Sequence, residues 1–163
     1  MIITDPDKRT EFFKALKEKG KLVAVSGYFD PPTPTHIVYF RAAKKLGDSL
    51  VVLLNNDDQL LMKRKGTKLE GRIRYPLMDR ALILNELRTV HAVVVSIDAG
   101  RRISETLKIV KPHIFAKGGD RNLTNLPEEE IEVCREIGCE VVCGIGGSRS
   151  EKSHSSSWYD WES

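Results

Sequence analysis

Short unbroken apolar runs alternate along this chain with stretches in which apolar residues return every third or fourth position. The runs are Leu22-Val23-Ala24-Val25, Leu50-Val51-Val52-Leu53-Leu54, Ala92-Val93-Val94-Val95, Ile114-Phe115-Ala116-Lys117 and Glu140-Val141-Val142-Cys143. A continuous run of this length bounded by polar residues predicts a strand covered on both faces. The intervening stretches carry helical signals. Thr4 or Asp5 stands where a helix is capped, Pro6 falls in the first turn, Phe12, Phe13 and Leu16 form a buried stripe, and Gly20 closes it. Ile37, Phe40, Ala43 and Leu46 recur at helical spacing until Gly47. Further helices are predicted from about Pro76 to Arg88, from Ile103 to Val110 and from about Pro127 to Ile137. β-α units in series imply parallel strands joined by right-handed crossovers. The expected fold is therefore α/β: a Rossmann-like open parallel sheet of about five strands with helices on both faces, in a single domain spanning residues 1–163.

Composition narrows the function. A chain of 163 residues with 40% hydrophobic content is large enough to bury a real core. Its net charge of +3, with signs mixed along most of the length, argues against a dedicated nucleic-acid binder. Met1-Ile2-Ile3 runs at once into Thr4-Asp5-Pro6-Asp7, so neither a signal peptide nor a membrane span is expected, and a cytoplasmic location is. Cys134, Cys139 and Cys143 lie in one late segment without His or acidic residues at zinc-like spacing, and are expected to be reduced thiols, mostly buried.

The chemistry should lie in the loops after the strands, because ligands of an open parallel sheet collect beyond the carboxyl ends of its strands. After the first run come Gly27-Tyr28-Phe29-Asp30-Pro31-Pro32-Thr33-Pro34-Thr35-His36. A strand ending in a Gly/Pro turn, with a hydroxyl and an imidazole at the start of the next helix, suits an anion, since backbone amides at a helix start lack partners and carry partial positive charge. Asn55-Asn56-Asp57-Asp58 follow the second run, and Lys117-Gly118-Gly119-Asp120-Arg121 the fourth. Ser155-Ser156-Ser157 come after the fifth. Between them, Lys63, Arg64, Lys65, Lys68, Arg72 and Arg74 meet only Glu70 as a nearby counter-charge. Each group also has a blander reading: the basic stretch as a solvated loop, Arg80 as a surface partner of Asp79 or Glu86, the serines as a cap, the glycines as a turn.

These motifs resemble those of the cytidylyltransferase-like nucleotidyltransferases. Phe29-Asp30-Pro31-Pro32-Thr33-Pro34-Thr35-His36 is similar to the Thr-first form of their His/Thr-x-Gly-His signature, and Ser155-Ser156-Ser157 resembles their late Ile-Ser-Ser-Ser/Thr signature. Leu46-Gly47-Asp48, Lys65-Gly66, Asp79-Arg80, Leu87-Arg88 and Lys117-Gly118-Gly119-Asp120 resemble, in order and spacing, the adenylyltransferase branch that makes ADP-heptose. Glycerol-3-phosphate cytidylyltransferases are a second match. The resemblance implies transfer of a nucleoside monophosphate from a triphosphate, ATP rather than CTP by the favoured branch, to a phosphorylated acceptor. It gives His36, Thr33, Lys65 and Arg80 catalytic roles toward the phosphates. It assigns the nucleotide to Tyr28, Phe29, Asp30, Thr35, Lys117, Gly118, Gly119, Asp120, Ser155, Ser156 and Ser157. Asn55, Asn56, Asp57 and Arg121 are the expected acceptor residues. It also implies a magnesium ion held mainly by nucleotide phosphates, and a homodimer, with neither nucleic acid nor membrane as partner.

Two positions depart from the family pattern. Thr35 stands where the family carries Gly before its signature His, either crowding a phosphate or capping the helix, and His154 replaces an aliphatic residue before the serines. Thr35 motivates the alternative of a nucleotide-binding protein without catalysis, and the second match that of a cytidylyltransferase acting on glycerol-3-phosphate or another alcohol phosphate. A fragment of a class I aminoacyl-tRNA synthetase lacks support, because nothing resembles that group's lysine-rich second signature.

Overall fold

The computed structural model describes residues 1–119 and 121–147. Six parallel strands form one sheet in the order β1-β4-β3-β2-β5-β6. They are β1 (Ile2–Ile3), β2 (Leu22–Gly27), β3 (Ser49–Leu54), β4 (Ala92–Val95), β5 (Ile114–Gly118) and β6 (Glu140–Ile145). The helices are α1 (Thr10–Lys19), α2 (Pro34–Lys44), α3 (Asp57–Arg64), α4 (Leu77–Asn85), α5 (Ser104–Val110) and α6 (Glu128–Glu136).

Side chains alternate across a strand, so one apolar run supplies two cores. Leu22, Ala24, Val51, Leu53, Ala92, Val94 and Phe115 point to one face, where Phe13 and Leu16 of α1, Leu107 and Val110 of α5, and Val133 and Cys134 of α6 cover them. Val23, Val25, Leu50, Val52, Leu54 and Val93 point to the other, against Tyr39, Phe40 and Ala43 of α2 and Ala81 and Leu84 of α4. Register carries this alternation from strand to strand: Val23 lies beside Leu50, and Ala24 beside Val51. Burying each Val or Leu contributes about 1.5–3 kcal/mol, which explains why polar residues stand only toward the ends of these strands.

Five strands fall on the predicted runs, and the sixth, β1, is the two-residue edge strand Ile2–Ile3 paired with β4. A run of two apolar residues is too short to be read from periodicity. The chain start also differs from expectation. Pro6–Arg9 form a 3-10 turn, α1 begins only at Thr10, and Asp5 makes no side-chain cap but pairs with Lys8 at 2.9 Å. Helix α3 falls where the sequence suggested a polar loop.

The strand order reverses at β2. The chain first moves outward to β3 and β4, then returns to place β5 and β6 on the opposite side. The turn after β2 therefore opens into a crevice between diverging loops, the position at which such sheets take ligands.

Candidate active site

A cleft of about 820 Å³ opens over the carboxyl ends of β2, β3, β4 and β5. Its floor begins with a tight turn. Gly27 ends β2 because the Phe29 ring lies directly on it: a Cβ at Gly27 would come within 2.7 Å of that ring. Phe29 adopts the left-handed region, with φ 49°, and its ring meets Phe40 and His36 edge to face, with centroids 5.1 and 4.9 Å away. The peptide Asp30-Pro31 is cis. Phe29 thus serves as the hydrophobic pivot on which the imidazole is set.

Thr33 caps α2, Pro34 follows, and His36 occupies the third helical position in a reciprocal capping box. The Thr33 amide donates to His36 Nδ1 at 3.0 Å, and the Thr33 hydroxyl lies 3.2 Å from the same nitrogen. A neutral ring that accepts at Nδ1 carries its hydrogen on Nε2, so the capping box fixes the tautomer as well as the ring's orientation. Thr35, a candidate cap in the sequence, sits inside the first turn instead and lines the cleft.

Asp30 reaches the cleft wall, yet its carboxylate is committed to the protein. Oδ2 accepts from Arg64 Nη1 at 2.7 Å and from the Arg74 amide at 2.8 Å, and Oδ1 accepts from the Tyr75 amide at 2.6 Å. Burial works against its charge, but those amides and the Arg64 guanidinium prevail and hold the carboxyl below the usual range. Asp30 thereby ties down the basic segment between α3 and α4.

Arg80 is placed elsewhere than the sequence suggested. It is fully buried and does not line the cleft. Its Nε donates to Tyr75 O at 2.9 Å, Nη1 to Tyr28 O at 2.7 Å and Asn55 O at 2.9 Å, and Nη2 to Asp57 Oδ1 at 2.5 Å. These commitments, rather than a triphosphate or a surface partner, occupy the guanidinium, which braces the ends of β2 and β3 together. Asp57 and Asn56 likewise move from acceptor binding to construction. Asp57 holds Arg80 and the Leu77 amide, while Asn56 caps α3 in a capping box with Gln59. Asn55 remains on the cleft wall, buried at the end of β3.

The predicted basic stretch enters through neighbours of the residue singled out. Leu60, Lys63 and Arg64 share one face of α3, at i, i+3 and i+4, and that face lines the cleft. Lys65 ends the helix, rotated off this face, and is exposed outside the lining. The Lys63 ammonium lies 4.3 Å from the centre of the Tyr28 ring. Burial, and after it the nearby Arg64, Arg101 and Arg121, push its pKa down.

On the β5 side, Lys117 Nζ lies 3.4 Å from both Glu130 Oε2 and Ser26 Oγ, and 4.5 Å from the centre of the Phe115 ring. Gly118 and Gly119 follow it on the wall, and a Cβ at Gly118 would meet no protein atom within 4 Å. Arg121 also lines the cleft and donates to Asn125 O at 3.4 Å. Asp120, Ser155, Ser156 and Ser157 lie outside the described residues.

The structure therefore brings Tyr28, Phe29, Asp30, Thr33, Thr35, His36, Asn55, Lys117, Gly118, Gly119 and Arg121 around one cleft. Sequence reasoning missed Arg101, Arg102, Tyr39 and Glu130, which line it too. The first two follow the third apolar run, so the rule applied to the other strand ends would have found them.

The cytidylyltransferase-like family model matches residues 24–157, from the second residue pair of β2 onward. The chain belongs to that family. Two relatives named bifunctional protein HldE illustrate its nearer surroundings. The one from Streptomyces coelicolor is 38% identical over 112 residues, 68% of this chain and 23% of the relative; the one from Haemophilus ducreyi is 35% identical over 150 residues, 90% of this chain and 28% of the relative. The chain thus spans about a quarter of the length of these relatives. A lipopolysaccharide core biosynthesis protein from Thermoplasma volcanium has a similar structure, with a TM-score of 0.59 and 27% identity over 76% of this chain and 93% of that one. Pantoate-beta-alanine ligase from Francisella tularensis, at 12% identity and a TM-score of 0.55 over 88% of this chain and 66% of that one, shares the fold alone. By family this cytidylyltransferase-like chain is a nucleotidyltransferase. No helix among the described residues is long and apolar enough to cross a membrane.

Proposed function

We propose that this chain transfers the nucleoside monophosphate of ATP to the phosphate of a phosphorylated sugar, in the manner of the ADP-heptose branch its sequence resembles. An acceptor phosphate oxygen attacks the α-phosphorus in line. A new P–O bond forms, the bond to the β-phosphate oxygen breaks, and its electron pair leaves with pyrophosphate. No covalent intermediate on the protein is required, so the protein's contribution is alignment and neutralisation of charge. His36 Nε2–H donates to the α-phosphate or to the bridging oxygen as charge develops there. Lys63 holds phosphate oxygens beside Arg64, whose guanidinium is tied to Asp30 and to Arg72 O, and Lys117, Gly118 and Gly119 receive the nucleoside. Magnesium enters as part of the substrate, chelated by the triphosphate. This fits a donor set in which the Asp30 carboxylate is already engaged.

The observation that carries this reading is the imidazole held by its own capping box, with Nδ1 accepting, in a cation-lined cleft at the strand-order reversal. Pyrophosphate release with ATP or CTP over a panel of sugar and polyol phosphates tests it. Release that requires a sugar phosphate and prefers ATP supports the proposal. CTP preference with glycerol 3-phosphate supports the cytidylyltransferase alternative instead, and binding of nucleotide without release in any combination supports a non-catalytic role.

A further inference from the structure

Arg101 and Arg102 have no part in the transfer step above, yet side-chain hydrogen bonds pin the segment that carries them. Gln59, fully buried, donates through Nε2 to Gly100 O at 2.7 Å and to Arg102 O at 2.8 Å. Gln59 is itself fixed, its Oε1 accepting from the Asn56 amide at 3.0 Å and its amide donating to Asn56 Oδ1 at 2.9 Å. Asn56 Nδ2 then donates to Ser96 O and Asp98 O, both at 3.2 Å. Four carbonyls between β4 and α5 are thus held by two side chains of one helix cap. The buried Asp98 carboxylate anchors the far end by accepting from the amides of Glu105 at 2.7 Å and Thr106 at 3.1 Å. Burying an amide and a carboxylate is costly unless every polar atom is satisfied, and this network satisfies them around a loop whose Arg101 and Arg102 line the cleft.

The arrangement gathers like charge. Arg101 is close enough to Lys63 to disfavour its protonation, as are Arg64 and Arg121. Such a cluster is stabilised by an anion, and guanidinium forks match phosphate oxygens in pairs. Strand order locates that anion. In the sequence β4-β3-β2-β5, the Arg101 loop ends β4, His36 follows β2, and the Lys117-Gly118-Gly119 segment ends β5. The arginines and the glycine loop lie on opposite sides of the imidazole.

We infer that Arg101 and Arg102, presented by the Asn56–Gln59 brace, bind the phosphate monoester of the acceptor, while the nucleotide occupies the β5 side of His36. The inference rests on the transfer reaction proposed above and deepens it by naming the residues that select a phosphorylated acceptor over a neutral polyol. Gln59 is a positioning residue in this scheme, acting through the loop backbone.

Calorimetry with the protein saturated by α,β-methylene-ATP and titrated with inorganic phosphate tests the inference without turnover. In the double variant R101A/R102A, phosphate Kd rises at least tenfold while the analogue's Kd changes less than twofold. In Gln59→Met, phosphate Kd rises several-fold and the analogue's Kd again holds. Should that variant fail to fold, the arginine variants, which leave the brace untouched, decide the question. Equal loss of analogue affinity overturns the inference by placing the arginines on the triphosphate, and unchanged phosphate affinity overturns it outright. Pyrophosphate release by the wild type is measured separately. Its absence defeats the transfer reaction, whereas a phosphate site that ignores the arginines defeats only this inference.

Discussion

At the scale of single residues, His36 divides its work between two nitrogens: Nδ1 closes the capping box with Thr33, and in the proposed reaction Nε2 carries the hydrogen offered to phosphate. Replacement by Ala removes both. The chemical step should slow on the order of a hundred- to a thousandfold, by analogy with loss of a single oxyanion donor. Loss of the cap should cost only about 1 kcal/mol. Steady-state kinetics and a urea titration on the same sample separate the two effects. Arg80 shows the opposite balance. Arg80→Ala strips donors from Tyr28 O, Asn55 O and Tyr75 O and leaves Asp57 without its cation, so a stability loss on the order of 3 kcal/mol is expected. Arg80→Lys should recover little, since one ammonium cannot serve four divergent acceptors. An Arg80→Ala protein of undiminished stability but lower affinity for ATP would return this residue to the triphosphate. Asp30 links stability to pH. Its folded pKa is depressed, so the stabilisation is complete above the unfolded value of about 3.9 and is lost as pH falls through the folded one. The difference in urea midpoint between wild type and Asp30→Asn should therefore shrink as pH is lowered from 6 toward 3.

At the scale of elements, legibility followed burial. The strands β2 to β5 were readable because both faces of their apolar runs are covered, whereas β6, at the sheet edge and only partly buried, showed through the short run Val141-Val142-Cys143. Helix α3 was not, since Leu60 alone of its apolar residues is deeply buried and the sequence Asp57-Asp58-Gln59 looks like solvent-facing loop. The same polar run misled the search for acceptor ligands. A side-chain oxygen that caps a helix and one that grips a substrate are the same chemical group, and only the fold shows whether Asn56 faces an amide or a cleft. Arg80 posed this problem in reverse: a cation between Asp79 and apolar neighbours gives no hint that four acceptors wait inside. The signature turn escaped the ambiguity because Gly27, Phe29, Thr33 and His36 constrain one another locally. The capping assignment carries a prediction of its own. Asn56→Ala removes the α3 cap and two supports of the Arg101 loop, so a loss of about 1 kcal/mol or somewhat more is expected, with faster amide exchange in residues 96–103. Exchange that speeds uniformly across the chain, with no excess in that loop, would show that Asn56 does not brace it.

At the scale of the whole molecule, the net charge of +3 hides a local field. Lys63, Arg64, Arg101, Arg102 and Arg121 converge from separate segments onto one cleft, whose walls concentrate their potential toward an incoming anion. Lys63 makes this field measurable. Its ammonium is disfavoured by burial and by three guanidinium groups, so it gives up its proton at lower pH than an ordinary lysine. A bound polyphosphate reverses that balance and favours the charged form. Binding must therefore take up protons in the alkaline range, and affinity for ATP must fall as pH rises through the lowered Lys63 value. Lys63→Arg, which stays protonated throughout, should keep its affinity across the same range. Calorimetric titrations from pH 7 to about 10, repeated in buffers of different ionisation enthalpy, count the protons directly. The slope should steepen at low salt, where screening is weak, and flatten as ionic strength rises toward 1 M. Equal pH dependence in the wild type and Lys63→Arg would mean that the triphosphate binds beyond the reach of Lys63, and that the field of the cleft is directed at the acceptor alone.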